Sequence, residues 1–243
     1  MPNLRFALPA LALVLVTACT AAPTNTPVSP TEPAPTSAPT SAPTLAPGEP
    51  SPTPDPPRPA PTGTVTFAID PARSSVSYSV DETFINDNNR LGTAVGRTSQ
   101  IQGQLNLNFD APAQSEFGEF TVDLSTLRSD SRRRDEAIQR QWLESATYPL
   151  ATFVVRGVEN FPADPQEGQT LQFQLAGDLT VRTGTQAVTW DVTATLANDV
   201  LSGQATARIL MADFGIEPPS IAGILSVTDG VTLRLDFVML PAQ

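Results

Sequence analysis

From Val65 onward the chain repeatedly alternates apolar and polar residues, and one run does so without a break. Ile101, Gly103, Leu105, Leu107 and Phe109 fall on one face, with Gln102, Gln104, Asn106 and Asn108 on the other. Successive side chains of a strand point to opposite faces, so this spacing predicts a strand with one dry side. The same period runs through Val65, Phe67 and Ile69, then Val76, Tyr78 and Val80, then Phe120, Val122 and Leu124. It continues from Phe153 to Val158, from Leu171 to Val181, from Val188 to Leu196, from Leu201 to Met211, and through Val231, Leu233, Leu235 and Phe237. Long strands of this kind, about eight in number and joined by Gly, Asn and Asp turns, predict an all-β domain built on one antiparallel sheet. A single apolar face on each strand favours a sheet that curls into a barrel, because closure buries that face and removes unpaired edges.

Helical signal is confined to one stretch. Asp130 to Glu144 follows the cap-like Ser129 and sets Ala137, Ile138, Gln141 and Trp142 near one side, and Tyr148-Pro149 then returns the chain to extended structure. A second short turn or helix is expected near Pro218-Pro219-Ser220. Both elements are expected to cover a barrel end. Asn86-Asp87-Asn88-Asn89 reads as a polar hairpin tip, since it lacks the ligand spacing of a calcium loop.

The first 62 residues differ in kind. Arg5, an apolar run from Phe6 to Val16 and then small residues have the layout of a secretory leader, too short to cross a bilayer as a helix. Val16-Thr17-Ala18-Cys19 resembles the bacterial lipobox, which implies cleavage after residue 18 and acylation of Cys19, the only cysteine in the chain. Two or three acyl chains make a stable membrane anchor where one does not. Residues 19–62 are then the lipidated cysteine and a segment of Pro, Thr, Ser and Ala that buries too little apolar surface to fold. It is expected to be a disordered spacer, open to O-glycosylation, that reaches ~130 Å when extended at ~3.1 Å per residue. Residues 63–243 form the one folded domain.

Composition removes whole classes of chemistry. The chain has no histidine and carries a net charge of −11. It also lacks lysine. Histidine-based triads, the commonest zinc sites, Schiff-base lysines and the P-loop lysine are therefore all unavailable. An acidic domain repels phosphate backbones, so nucleic acid is not an expected partner. No metal, no cofactor and no enzymatic activity are expected. Asp81-Glu82 and Asp135-Glu136 read as solvated charges. Arg132-Arg133-Arg134 reads as a solvated helix face, with Arg134 the candidate for gripping an anionic head group.

The positive signal is aromatic. Phe67, Tyr78, Phe109, Phe120, Phe153, Phe173, Trp190 and Phe237 all occupy the inward phase of their strands. An eight-stranded barrel is either filled by such side chains or leaves room for one small ligand. Inward Gly103, Ala194, Gly203, Ala205 and Ala207 favour a cavity, since a solid core calls for bulk there.

Several motifs in order carry a resemblance. They are Phe67-Ala68-Ile69-Asp70 with Ser74-Ser75-Val76-Ser77-Tyr78, Phe120-Thr121-Val122-Asp123-Leu124, Arg134-Asp135 with Tyr148-Pro149-Leu150-Ala151-Thr152-Phe153, Gly177-Asp178-Leu179-Thr180-Val181, and Asp213-Phe214-Gly215. Together they resemble the YceI-like family, exported lipocalin-like proteins that bind polyisoprenoids. The chain departs from that pattern at Arg73 and Ala137, where the family usually has histidine, and the stretch from Arg134 to Pro149 is one residue shorter. The resemblance implies a lipocalin-like barrel that holds a long isoprenoid or quinone-like chain for transport, storage or sequestration. Phe67, Tyr78, Phe109, Phe120, Trp142, Phe153, Phe173 and Trp190 are the candidate ligand contacts. An isoprene unit of ~100 Å² at about 25 cal/mol per Å² contributes about 2.5 kcal/mol, so a few units suffice for micromolar binding. The rival expectation is a filled barrel displayed as a structural or interaction module. The protein is expected to be exported and membrane-anchored, facing the periplasm or cell exterior, and a homodimer stays open.

Overall fold

The computed structural model describes residues 62–111, 114–162, 165–221 and 225–242. The leader, Cys19 and the Pro/Thr-rich spacer lie outside these residues. Strands dominate: β1 (Thr64–Ile69), β2 (Ser75–Phe84), β3 (Arg90–Thr98), β4 (Ile101–Gln102), β5 (Gln104–Asn108), β6 (Glu116–Phe117) and β7 (Glu119–Asp123) come first. After a helix, α1 (Arg132–Ala137), come β8 (Leu150–Glu159), β9 (Thr170–Val181), β10 (Gly184–Ala197), β11 (Val200–Leu210), β12 (Ser220–Ile221) and β13 (Leu225–Pro241).

All pairings are antiparallel, and one set of them closes into a ring. β13 pairs with β1, β1 with β5, and β5 with β6. β4 pairs with β7, which leads through β8, β9, β10 and β11 back to β13. Only Gly103 separates β4 from β5, and only Gly118 separates β6 from β7, so each pair is one strand with a break. The ring then has the expected eight strands.

Beyond the ring, β2 replaces β1 beside β13 and β3 pairs with β2. β3 meets the following segment through a single bridge, Arg97 to Arg128, and through the Thr98 and Thr126 hydroxyls at 2.6 Å. α1 is tied on near this seam. Gln139 Nε2 donates to the carbonyls of Ser125 and Leu127 at 3.0 and 3.1 Å.

Two expectations are corrected. The helix starts at Arg132, capped by the Ser131 side chain rather than by Ser129, and passes at Ile138 into a wider turn that ends at Trp142. Ser129 instead donates its hydroxyl to Asp135 at 2.6 Å, so its cap-like chemistry goes to an acid within the helix. Near Pro219 the chain forms strand β12 on β13 rather than a helix, and the turn lies earlier, at Ala212–Phe214. Gly215 ends that turn at φ 69°, a left-handed backbone that suits glycine. β3 was not foreseen. Its partner hairpin tip was: Asn88 and Asn89 turn at φ 51° and 56°.

Two apolar clusters divide the interior. One holds Phe67, Leu105, Leu107, Leu196, Leu201 and Met239 at the end where the ring closes. The other holds Leu124, Leu127, Phe153, Leu179, Phe214 and Ile216 towards α1.

Candidate functional site

Between the clusters lies a cavity of about 580 Å³, within the roughly 300–1,000 Å³ range usual for small-molecule sites. Its floor is set by Ile101, Ala205 and Leu235, and its walls by alternate residues of the long strands, among them Val76, Tyr78 and Val80 from β2. The open end is lined by Phe84, Pro219, Leu225 and Val227, with α1 contributing Arg133, Arg134 and Ala137. One end of the barrel is thus filled and the other hollow, which answers a question that sequence left open.

Tyr78, Phe120, Trp142, Phe153 and Trp190 line the cavity. Phe67 is fully buried in the filled end, where Phe109 and Phe173 also pack, and none of these three lines the cavity. Phe173 meets Phe161 edge-on at 5.1 Å, while Phe153 meets Trp190 edge-on at 6.0 Å inside the wall. The Trp190 indole nitrogen is buried with no acceptor among the described residues, so this wall presents a ring face rather than a hydrogen bond.

Three glycines seat the rings. A methyl group at Gly103 would overlap Phe120, one at Gly96 would overlap Tyr78, and one at Gly177 would overlap Phe153. Gly203 lies against the backbone of β10, and Ala194 is sealed in the filled cluster. Of the small positions expected to leave space, Ala205 is the one that lines the cavity. Glycine opposite an aromatic ring is a recurrent way to seat the ring flat on a sheet.

One polar patch interrupts the apolar lining. Arg134 donates to Glu82 at 3.2 Å and also pairs with Asp130. Glu82 is 5% exposed, so the expectation of a solvated charge is corrected: its carboxylate is buried because a guanidinium from the helix reaches it. Asp135 is likewise buried, and accepts from the Ser129 backbone N–H at 2.9 Å as well as from its hydroxyl. Burial works against the Arg134 charge, but Asp130 and Glu82 outweigh it and hold its pKa above the ordinary value. Arg132 matches the solvated reading, paired with Glu136 at 3.0 Å and almost fully exposed. Arg133 borders the cavity and pairs with no acid among the described residues. The Tyr78 hydroxyl faces this patch. Burial pushes its pKa up to about 12, with Arg134 opposing and Asp135, Glu82 and Asp130 adding to the rise.

Sequence reasoning missed Glu82, Phe84, Ile216, Leu225 and Val227 as lining residues. Phe214, also in the lining, carried a usable signal in the Asp213-Phe214-Gly215 motif. Of the two positions that depart from the family pattern, Ala137 lines the cavity, while Arg73 pairs outside it with Asp70 at 2.6 Å. No cluster of acids and cysteine suited to a metal ion occurs among the described residues.

Solved structures share this architecture. BcnA from Burkholderia cenocepacia superposes with a TM-score of 0.55 at 21% identity, covering 70% of this chain and 98% of its own. A polyisoprenoid binding domain from Saccharophagus degradans, implicated in plant cell wall breakdown, gives 0.54 at 15% identity, covering 73% and 99%. At these identities the likeness establishes the fold. No curated protein shows significant sequence similarity to the chain. The YceI-like domain family matches residues 67–239, and the chain therefore belongs to the YceI-like family.

Proposed function

We propose that the protein is a non-enzymatic carrier that takes one long apolar chain, a polyisoprenoid or quinone-like lipid, into the hollow end of its barrel. The observation that carries this reading is the cavity itself, about 580 Å³ and lined almost wholly by aliphatic and aromatic side chains. Apolar lining in a preformed space favours an apolar guest, and the patch around Arg134 and Tyr78 gives the guest's polar end a fixed place. The polyisoprenoid binding domain from Saccharophagus degradans, built on the same fold, supports the choice of ligand class. The lipobox-like run before Cys19 supports an acylated anchor on the periplasmic or outer side of a membrane, with the spacer as tether.

Added polyprenol tests the reading directly. A ligand at a hundred times its dissociation constant stabilises the bound form by about 2.7 kcal/mol. For a domain of this size that raises the melting temperature by roughly 5–10 °C. An unchanged melting temperature with polyprenol and with quinone would contradict it.

A further inference from the structure

Three charged side chains line the cavity, Glu82, Arg133 and Arg134, and Glu82 is the most buried of them, with 6% of its side chain exposed. Its register partner on β13 is Val227, and the next inward pair towards the rim is Phe84 with Leu225. The carboxylate therefore stands one step inside the opening. Val80, Tyr78 and Val76 continue the same face of β2 down to the floor at Leu235. Oε2 of Glu82 accepts from Arg134 Nη2 at 3.2 Å, whereas Oε1 accepts from no group among the described residues. A carboxylate oxygen held out of bulk water against an apolar cavity calls for a donor, and a guest can bring one.

Charge decides what kind of head brings that donor. Arg134, the cation of the patch, is already engaged, with Nη1 on Asp130 and Nη2 on Glu82. Asp135 is buried on the same helix and bonded to Ser129. Arg133 is exposed to solvent, and exposed Asp213 and Glu217 flank the lining residues Phe214 and Ile216. A phosphate entering here would meet a buried carboxylate whose counter-ion is shared between two acids, and like charges in such a place disfavour each other strongly. An uncharged hydroxyl donates to Oε1 without adding charge, and a hydrogen bond to an ionised acceptor is the stronger kind. The Tyr78 hydroxyl, which burial keeps protonated, adds no further anion.

We infer that Glu82 is the head-group acceptor of the cavity and that the guest ends in an uncharged hydroxyl, with phosphorylated heads disfavoured. The inference rests on the carrier reading and adds the chemistry of the guest's polar end; Arg134 then positions Glu82 rather than gripping an anion. Dissociation constants for the full chain, read from the emission of cavity-lining Trp142 and Trp190, compare ligands of one chain length. A prenol should bind at least tenfold more tightly than its methyl ether, which lacks the donor, and than its monophosphate. A prenylated hydroquinone and its quinone, measured without oxygen, form a second pair. A tenfold preference in either pair supports the inference and tells which molecule supplies the hydroxyl. Glu82→Gln, whose amide keeps an acceptor for Arg134 and removes the charge, should bring the monophosphate within threefold of the prenol. If that variant does not fold, the order of binding to the parent decides alone. Equal binding within both pairs, or a monophosphate as tight as the prenol, would overturn the inference and leave the carrier reading standing. No binding by any member of the series would contradict both.

Discussion

Arg134 of the helix and Glu82 of the second strand lie 52 residues apart in the chain and meet at 3.2 Å against the cavity. The pair fixes α1 across the seam that the strands leave open. Removing one partner of a buried pair leaves an uncompensated charge, which costs about 3–5 kcal/mol when burial is complete. Arg134 keeps Asp130 and some solvent, so Glu82→Ala is expected to cost about 2 kcal/mol in urea unfolding. Replacing both residues by leucine should cost less than Glu82→Ala alone.

Ring seating gives a second expectation. Gly103→Ala places a methyl group into the Phe120 ring and should destabilise by about 1–3 kcal/mol. Gly157, with nothing within 4 Å of its added methyl, is the control. Gly157→Ala is expected to stabilise by about 0.5 kcal/mol through the unfolded chain. Thermal melting of the two variants should therefore shift in opposite directions.

Tyr78 sets a limit on alkaline stability. Its folded pKa, pushed up to about 12 from 10.0 by burial, means that the native state holds its proton more tightly than the unfolded state does. The stability this contributes is fully present below about pH 10 and is lost as pH rises towards 12. Two units correspond to at most ~2.7 kcal/mol, less the screening of a partly solvated hydroxyl. Unfolding free energy should fall across that window, and Tyr78→Phe should flatten the fall.

How far these features could be read from the sequence depended on what each residue contacts. Alternation reported the faces of β5, β9 and β10 because most of their inward positions carry bulk. β3 escaped because its inward positions are Ala94, Gly96 and Thr98; the Tyr78 ring fills the space above Gly96, so the bulk that marks a strand belongs to its neighbour. Period two gives the face of a strand but not the height along the barrel. That is why Phe173 and Trp190 looked equivalent, although one packs in the filled end and the other lines the cavity. Glu82 looked solvated because its cation arrives from a helix whose docking no local pattern encodes.

Filling the cavity should separate fold from function. Ala205 lies on the floor with 5% exposure. Ala205→Phe is expected to remain folded, at a cost of about 1–3 kcal/mol from overpacking. Binding of a polyprenol, followed by tryptophan quenching, should weaken at least tenfold, whereas Gln172→Ala on the outer face should bind like the parent.

The most direct test is the mass of the protein as it leaves the cell. Native mass spectrometry of the full chain, isolated without added lipid and repeated over several preparations, should show a population heavier by one long-chain lipid, released intact into organic solvent. Spectra showing no non-covalent guest in every preparation, with nothing extractable into organic solvent, would contradict the account.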